Sequence, residues 1–128
     1  SGAGDRSQSQ SAFFLYLAHW GIHNPLQAKK EDYDALSYIK DERLRVYAAM
    51  ITALDRGVGR VLDALKANGL SDNTLVIFTS DNGGAIKNTY DDGTNPLHSR
   101  QPPNGSLRGS KSSLYEGGHR GAADIGLY

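Results

Sequence analysis

The sequence predicts an α/β fold in which a mostly parallel sheet is packed by helices. Two short apolar runs, residues 13–18 (FFLYLA) and Leu75–Thr79 (LVIFT), have the composition of strands buried on both faces of a sheet. Between them, residues 41–68 carry apolar side chains every three or four positions, as an amphipathic helix does. A strand, helix, strand unit is expected to be parallel and right-handed. Both strands then end at one edge of the sheet, where the residues that follow them should meet.

The composition limits the range of functions. The chain has 128 residues, 38% hydrophobic and 22% charged, which is typical of a globular domain. Its 14 basic and 14 acidic residues give zero formal net charge, so nothing favours a nucleic-acid or anionic-membrane partner. The absence of cysteine excludes disulfides, zinc-thiolate sites and thiol nucleophiles, and it leaves the redox compartment open. The apolar run 12–18 is too short to span a membrane.

The chain divides into a short leader and one domain. Residues 1–11, SGAGDRSQSQS, are small and polar and are expected to form a disordered leader. Residues 12–128 are expected to form the folded domain. Within it, a short helical turn is expected at Lys30–Ala35.

The long helix has local signals at both ends. Asp41 is expected to cap its start and Asn68-Gly69 to end it. At about 1.5 Å per residue it should run roughly 40 Å and cover one face of the sheet. Gly57 and Gly59 each weaken it by about 1 kcal/mol. We expect close packing on neighbouring backbone to be the reason for these glycines.

Polar residues follow the second apolar run. Ser80-Asp81-Asn82-Gly83-Gly84 comes directly after the predicted strand, where open α/β sheets carry their ligands. Carboxylate and amide oxygens are ligands for Ca²⁺ or Mg²⁺, and the glycines permit close backbone approach. Taken alone, such a stretch is more often an ordinary Asn-Gly turn, so both interpretations stay open.

Two histidines follow the first apolar run. His19 and His23 stand four residues apart on a loop that Pro25 ends. Single histidines are usually structural or surface residues, but a pair beside a strand end favours a site.

A glycine-rich basic segment lies near the end of the chain. After Gly84, about thirty residues read as loop, and this loop closes with Arg108 and Lys111 among glycines and serines. Both are anion binders by charge, although a glycine-rich basic loop is more often simply solvated. Asn104-Gly105-Ser106 matches a glycosylation sequon, a pattern that is common by chance.

Three blocks together resemble a known family. They are FFLYLAHWGIHNPLQ at 13–27, YAAMITALDRGVGRVLDALKANGLSDNTLVIFTSDNGG at 47–84 and NGSLRGSKSSLYEGGHRG at 104–121. In this order and spacing they resemble the type I sulfatases of the alkaline-phosphatase-like superfamily, most closely the arylsulfatase B and N-acetylgalactosamine sulfatase group. The resemblance implies that residues 12–128 form part of an alkaline-phosphatase-like sandwich.

The resemblance also implies roles for individual residues. His23 and Lys111 match family positions that contact the sulfate group and act in catalysis, and Asp81 and Asn82 match two calcium ligands. His19 has no clear counterpart, and Arg108 and Arg120 match structural positions. The implied substrate is an aryl sulfate or a sulfated sugar, and the implied compartment is lysosomal, secreted or periplasmic.

The chain also departs from the family pattern. These sulfatases make a formylglycine nucleophile from a C/S-x-P-S-R motif and supply further calcium aspartates before it, and neither feature is in this sequence. We therefore expect the second half of a sulfatase catalytic domain, inactive alone and partnered by the missing half. Asp124 falls where the family has a buried apolar strand.

Two alternative functions remain open at this point. One is a truncated, non-catalytic sulfatase-like binding module. The other is a phosphodiesterase or phosphonate hydrolase of the same superfamily. The nucleophile motif of the gene distinguishes all three hypotheses.

Overall fold

The computed structural model describes residues 11–85, 104–121 and 123–127. The predicted leader, apart from Ser11, and most of the long loop after Gly84 lie outside these residues. The described elements are helix α1 (Lys30–Ala35), helix α2 (Glu42–Ala67), a 3₁₀ turn (Ser71–Asn73), strand β1 (Leu75–Thr79), helix α3 (Glu116–His119) and strand β2 (Ala123–Leu127). The fold is thus α/β, as predicted.

Helix α2 begins and ends where the sequence indicates. Asp41 is its N-cap, and its Oδ1 accepts hydrogen bonds from the backbone N–H groups of Arg43 and Leu44 at 3.1 and 3.0 Å. Asn68 is the C-cap, and Gly69 follows with a φ of +66°, a conformation in which glycine has no steric penalty. Both end signals are local, which explains why the prediction is confirmed.

Helix α1 is fixed to α2 by charged side chains. The carboxylate of Asp32 is nearly buried and accepts hydrogen bonds of 2.7 Å from both Nη atoms of Arg56. Arg45 donates from Nε to the carbonyl oxygen of Tyr33 at 2.7 Å and stacks 3.8 Å from the centre of the Tyr33 ring. The short helix thereby has two attachments to the long one, in addition to its own hydrogen bonds.

The sheet differs from the prediction. Strand β1 is confirmed, but it pairs antiparallel with β2, from Leu75 opposite Leu127 to Thr79 opposite Ala123. Residues 13–18 form no strand in the described structure, so the parallel strand, helix, strand unit is wrong for the described residues. A strand needs a neighbour that supplies its hydrogen-bond ladder, and no described backbone does this for residues 13–18. An apolar run indicates that a segment can form a strand, but it does not show that a neighbouring strand is present.

The expected burial of β1 on both faces is also wrong for the described residues. Leu75, Ile77 and Phe78 are 58%, 60% and 42% exposed, and within the described ranges the buried apolar residues are Ala49, Met50 and Leu65 on α2. Between α2 and the sheet lies an open cavity of about 260 Å³. Its apolar lining includes Ile51, Leu54, Val58, Leu62, Val76 and Phe78. Helix α2 therefore approaches one face of β1, and no described layer covers the other.

The two glycines of α2 do not contact neighbouring backbone as expected. A Cβ at Gly57 would lie 3.5 Å from Nε2 of His19, which is an ordinary contact with a side chain. At Gly59 no described atom would lie within 4 Å, so nothing in the described structure explains this glycine.

No helix in the described ranges is long and apolar enough to cross a membrane.

Candidate functional site

The chain turns sharply where β1 ends. Ser80 Oγ donates to the carbonyl oxygen of Asn82 at 2.7 Å, and Asn82 Nδ2 donates to the carbonyl oxygen of Gly83 at 2.9 Å. Asp81, between them, is exposed, whereas Asn82 is half-buried. With its NH₂ used in this turn, Asn82 has Oδ1 as the atom that a cation would bind. The turn therefore presents one carboxylate and one amide oxygen at the carboxyl end of β1.

This turn is joined to the glycine-rich segment 104–121. The Gly83 N–H donates to the carbonyl oxygen of Gly118 at 2.9 Å, and the Lys111 N–H donates to that of Gly84 at 3.1 Å. Asn104 adds a side-chain bond, its Oδ1 accepting from the Gly84 N–H at 2.7 Å. The structure thus brings the Asp81-Asn82 turn and the loop of Lys111 into direct contact.

Glycines allow close packing between the two segments and within the segment 104–121. A Cβ at Gly83 would overlap the carbonyl oxygen of Gly117, and one at Gly117 would overlap that of Gly109. A Cβ at Gly118 would overlap the carbonyl oxygen of Ser113. Gly83, one of the two glycines predicted to permit close backbone approach, therefore packs against the backbone of Gly117 in the same chain.

Lys111 stands in a tight turn. The Ser113 N–H donates to the carbonyl oxygen of Ser110 at 2.9 Å, and the Ser110 N–H donates to Ser113 Oγ at 3.1 Å. Ser112 has a φ of +71°, which is uncommon for a residue with a side chain. The turn leaves Lys111 exposed beside the Asp81-Asn82 turn. Its ammonium is a mobile point charge of the kind that binds oxyanions.

The described contacts of His23 lie within its own loop. Its Nδ1 is 2.8 Å from the carbonyl oxygen of Asn24, and its ring centre is 5.6 Å from that of Trp20. His19 faces α2 near Gly57, and its Nδ1 accepts from the Gly21 N–H at 2.8 Å. No described contact joins His23 to the turn of Asp81 or to the loop of Lys111, so its membership of one site with them stays a prediction.

Two arginines of the glycine-rich segment bind neighbouring side chains. Arg108 stacks 3.8 Å from the centre of the Tyr115 ring and donates to its hydroxyl at 2.8 Å. Arg120 donates to Glu116 Oε2 at 2.6 Å, and this hydrogen bond lowers the pKa of the Glu116 carboxyl. These contacts shape the segment around Lys111.

Sequence reasoning missed the part that Asn104 plays in this site. Its amide bonds to backbone groups of Gly84 and Gly109, which are 20 and 5 residues away in the sequence. The local pattern around Asn104 indicates a loop with turn-forming residues and a sequon. A polar residue at the end of a long loop, before a glycine-rich segment, was the only signal available.

The described residues offer some of the oxygen atoms that a calcium ion would need. Asp81 and Asn82 offer two hard oxygen ligands, which fit the chemistry of Ca²⁺, but this ion takes about six to eight. Within the described ranges no cluster of three or more His, Asp or Glu residues is arranged to hold a metal. Further ligands would have to come from backbone, water, substrate or residues outside these ranges.

Comparison with known proteins places the chain among its relatives. The sequence profile of the family described as Sulfatase matches residues 5–121. Arylsulfatase J of Mus musculus is 37% identical over 111 residues, which make up 84% of this chain and 16% of that protein. N-acetylgalactosamine-6-O-sulfatase of Bacteroides thetaiotaomicron is 32% identical over 114 residues, or 89% of this chain and 21% of the relative. The chain spans about a fifth of the length of these curated relatives.

A solved structure is similar in fold and sequence. The crystal structure of Ps i-CgsB in complex with k-i-k-neocarrahexaose aligns with a TM-score of 0.70 and 38% identity. The alignment covers 93% of this chain and 24% of that one.

Proposed function

This chain belongs to the sulfatase family, and from that premise we propose that it forms part of a calcium-dependent catalytic domain that hydrolyses sulfate esters. The observation that carries the proposal is the contact between the Asp81-Asn82 turn and the loop of Lys111. Hydrogen bonds at Gly83 and Gly84 hold the segment of Lys111 against the end of the strand that Asp81 and Asn82 follow, which supports a site made of a carboxylate, an amide oxygen and an ammonium. A divalent cation and an oxyanion can be bound side by side there.

Each residue has a proposed role in this site. Asp81 and Asn82 Oδ1 would hold Ca²⁺, which would supply positive charge to stabilise the sulfate group. Lys111 donates to a sulfate oxygen and stabilises the negative charge that grows there as the ester bond breaks. His23 is proposed as a second donor to the sulfate group. These are binding and positioning roles, since the chain has no cysteine and no serine in a C/S-x-P-S-R context.

Similar proteins support a sugar sulfate as the substrate class. One relative is named for sulfated N-acetylgalactosamine, and the solved Ps i-CgsB structure holds a neocarrahexaose. The likeness in fold also supports an alkaline-phosphatase-like sandwich around β1 in the complete protein.

The experiment measures hydrolysis by the complete gene product. We expect turnover of an aryl sulfate and of sulfated N-acetylgalactosamine, with Lys111→Ala lowering kcat/KM about 100-fold or more, since loss of one such donor has that effect. Lys66→Ala is the matched control, because Lys66 is exposed in the last turn of α2 and loses the same charge. Turnover of phosphodiesters instead would favour a phosphodiesterase, and sugar-sulfate binding without turnover would favour a binding module.

A further inference from the structure

We propose that Asn104 is a positioning residue that fixes the place of Lys111 relative to Asp81 and Asn82. This inference rests on the proposed function for the roles of the residues it positions. Its geometric part stands on the contacts of Asn104 alone.

The amide of Asn104 bridges the two segments of the site. Its Oδ1 accepts from the Gly84 N–H at 2.7 Å, and its Nδ2 lies 3.3 Å from the carbonyl oxygen of Gly84 and 3.0 Å from that of Gly109. Gly84 is two residues beyond Asn82, and Gly109 is two residues before Lys111. The planar amide group of Asn104 thus joins the Asp81-Asn82 turn to the loop of Lys111.

The same contacts act directly on Lys111. Its backbone N–H donates to the carbonyl oxygen of Gly84 at 3.1 Å, which is the oxygen that Asn104 Nδ2 also approaches. Asn104 is itself held in a turn, with its carbonyl oxygen accepting from the Leu107 N–H at 3.1 Å. A shift of the Gly84 peptide would therefore displace or break the hydrogen bond of the Lys111 N–H.

The amide of Asn104 matches the hydrogen-bonding groups of Gly84 and Gly109. It provides an acceptor for the Gly84 N–H and donors for two carbonyl oxygens. An aspartate has the same size but no donor, and it would place a negative charge against the oxygens of Gly84 and Gly109. The nitrogen that a glycan would take at the Asn104-Gly105-Ser106 sequon is also the nitrogen of the bridge.

The sequon supplies a matched control. Ser106 is exposed, and Ser106→Ala removes the sequon while leaving the amide in place. Asn104→Ala removes the whole amide, and Asn104→Asp removes the donors without creating a cavity. If the bridge matters and the sequon does not, the two Asn104 variants should change together and Ser106→Ala should match the parent.

The test has a structural and a kinetic measurement on the complete gene product. In both Asn104 variants we expect hydrogen exchange at the Lys111 amide to become faster, with the amides of α2 unchanged. Asn104→Ala also removes the acceptor of the Gly84 N–H, so in that variant we expect faster exchange at the Gly84 amide as well. We expect kcat/KM for an aryl sulfate to fall about 10- to 100-fold, the usual effect of losing a residue that orients a ligand. In the Asn104→Ala background, Lys111→Ala should then cost a smaller factor than in the parent, because the lysine is already displaced.

Each result decides the proposal. Unchanged exchange at Lys111 in Asn104→Asp, or an equal cost of Lys111→Ala in both backgrounds, would overturn it. If the parent hydrolyses no sulfate ester, the proposed function fails by itself, and the exchange measurement still decides the geometric part. Faster exchange in the Asn104 variants but not in Ser106→Ala supports the bridge, and equal exchange in all three proteins refutes it.

Discussion

At the residue scale, the neighbouring side chains of Asp81 and Asn82 differ in charge and in exposure, and both properties affect how strongly each attracts a cation. Asp81 is exposed and brings a net negative charge, whereas Asn82 is half-buried and brings a dipole whose NH₂ is bonded to Gly83. Calcium affinity depends strongly on the number of charged ligands. We therefore assign the larger part of the cation attraction to Asp81.

This assignment gives a direct prediction for calcium binding. In the complete gene product, Asp81→Asn should weaken calcium binding on the order of tenfold or more, since it removes a charged ligand. Asn82→Asp should weaken calcium binding less than Asp81→Asn does, because this substitution adds a negative charge and does not remove one. Calorimetric titration of both variants against the parent measures this. An Asp81→Asn protein that binds calcium as tightly as the parent would make this strand end an ordinary turn.

Two glycines provide a matched pair for the contact between the segments. Gly83→Ala would drive a Cβ into the carbonyl oxygen of Gly117, and we expect a loss of about 1–3 kcal/mol in the free energy of unfolding. Gly59→Ala meets no described atom within 4 Å and should stabilise α2 by about 1 kcal/mol. Urea unfolding of both variants checks the two signs. A Gly83→Ala variant as stable as the parent would contradict the close approach.

The residues of the site differ in how far sequence can predict them. Residue type, a preceding strand and a glycine-rich setting make Asp81, Asn82 and Lys111 candidates, and these are local features. Their assignment to calcium and sulfate comes from the resemblance to the sulfatases. The contact between their segments is consistent with that identification. Asn104 was not identified as a site residue, because its role depends on a partner 20 residues away and its own neighbourhood indicates only a turn and a sequon.

At the element scale, local sequence signals predicted the position of α2 and β1, but they did not predict which strands pair. Caps and apolar periodicity predicted α2, and the apolar run predicted β1. The strand expected at residues 13–18 and the parallel pairing were wrong for the described residues. Pairing depends on which backbone lies alongside, and hydrophobic pattern carries no information about that partner.

The ion pair between α1 and α2 predicts a dependence on pH. The hydrogen bonds from Arg56 lower the pKa of Asp32 in the folded state. The unfolded carboxyl has a pKa of about 3.9. A lowered folded pKa means that the contribution to stability is complete above the unfolded pKa and is lost as pH falls through the folded pKa.

The experiment that tests this dependence compares melting temperatures at pH values above and below the unfolded pKa of about 3.9. Asp32→Asn should lower the melting temperature at neutral pH, and the difference from the parent should shrink as pH falls below about 3.9. Asp72→Asn is the control, since Asp72 is exposed on the 3₁₀ turn. A difference between Asp32→Asn and the parent that stays constant across these pH values would show that the ion pair does not act in this way.

At the scale of the whole molecule, the described residues leave much apolar surface in contact with solvent. Phe14 is 91% exposed, Trp20 79% and Ile77 60%. The composition of both apolar runs predicted burial, and the chain covers only 24% of the similar crystal structure. Where buried faces depend on layers outside the described residues, composition predicts the need for cover but not the element that provides it.

The central claim is that His23, Asp81, Asn82 and Lys111 form one site for a sulfate ester and calcium. A crystal structure of the complete gene product with calcium and a bound sulfate ester tests it most directly. We expect calcium on Asp81 and Asn82 Oδ1, with sulfate oxygens within hydrogen-bonding distance of Lys111 Nζ and the His23 ring. A structure with His23 and Asp81 on opposite edges of the sheet, or with the ester bound away from Lys111, would contradict it.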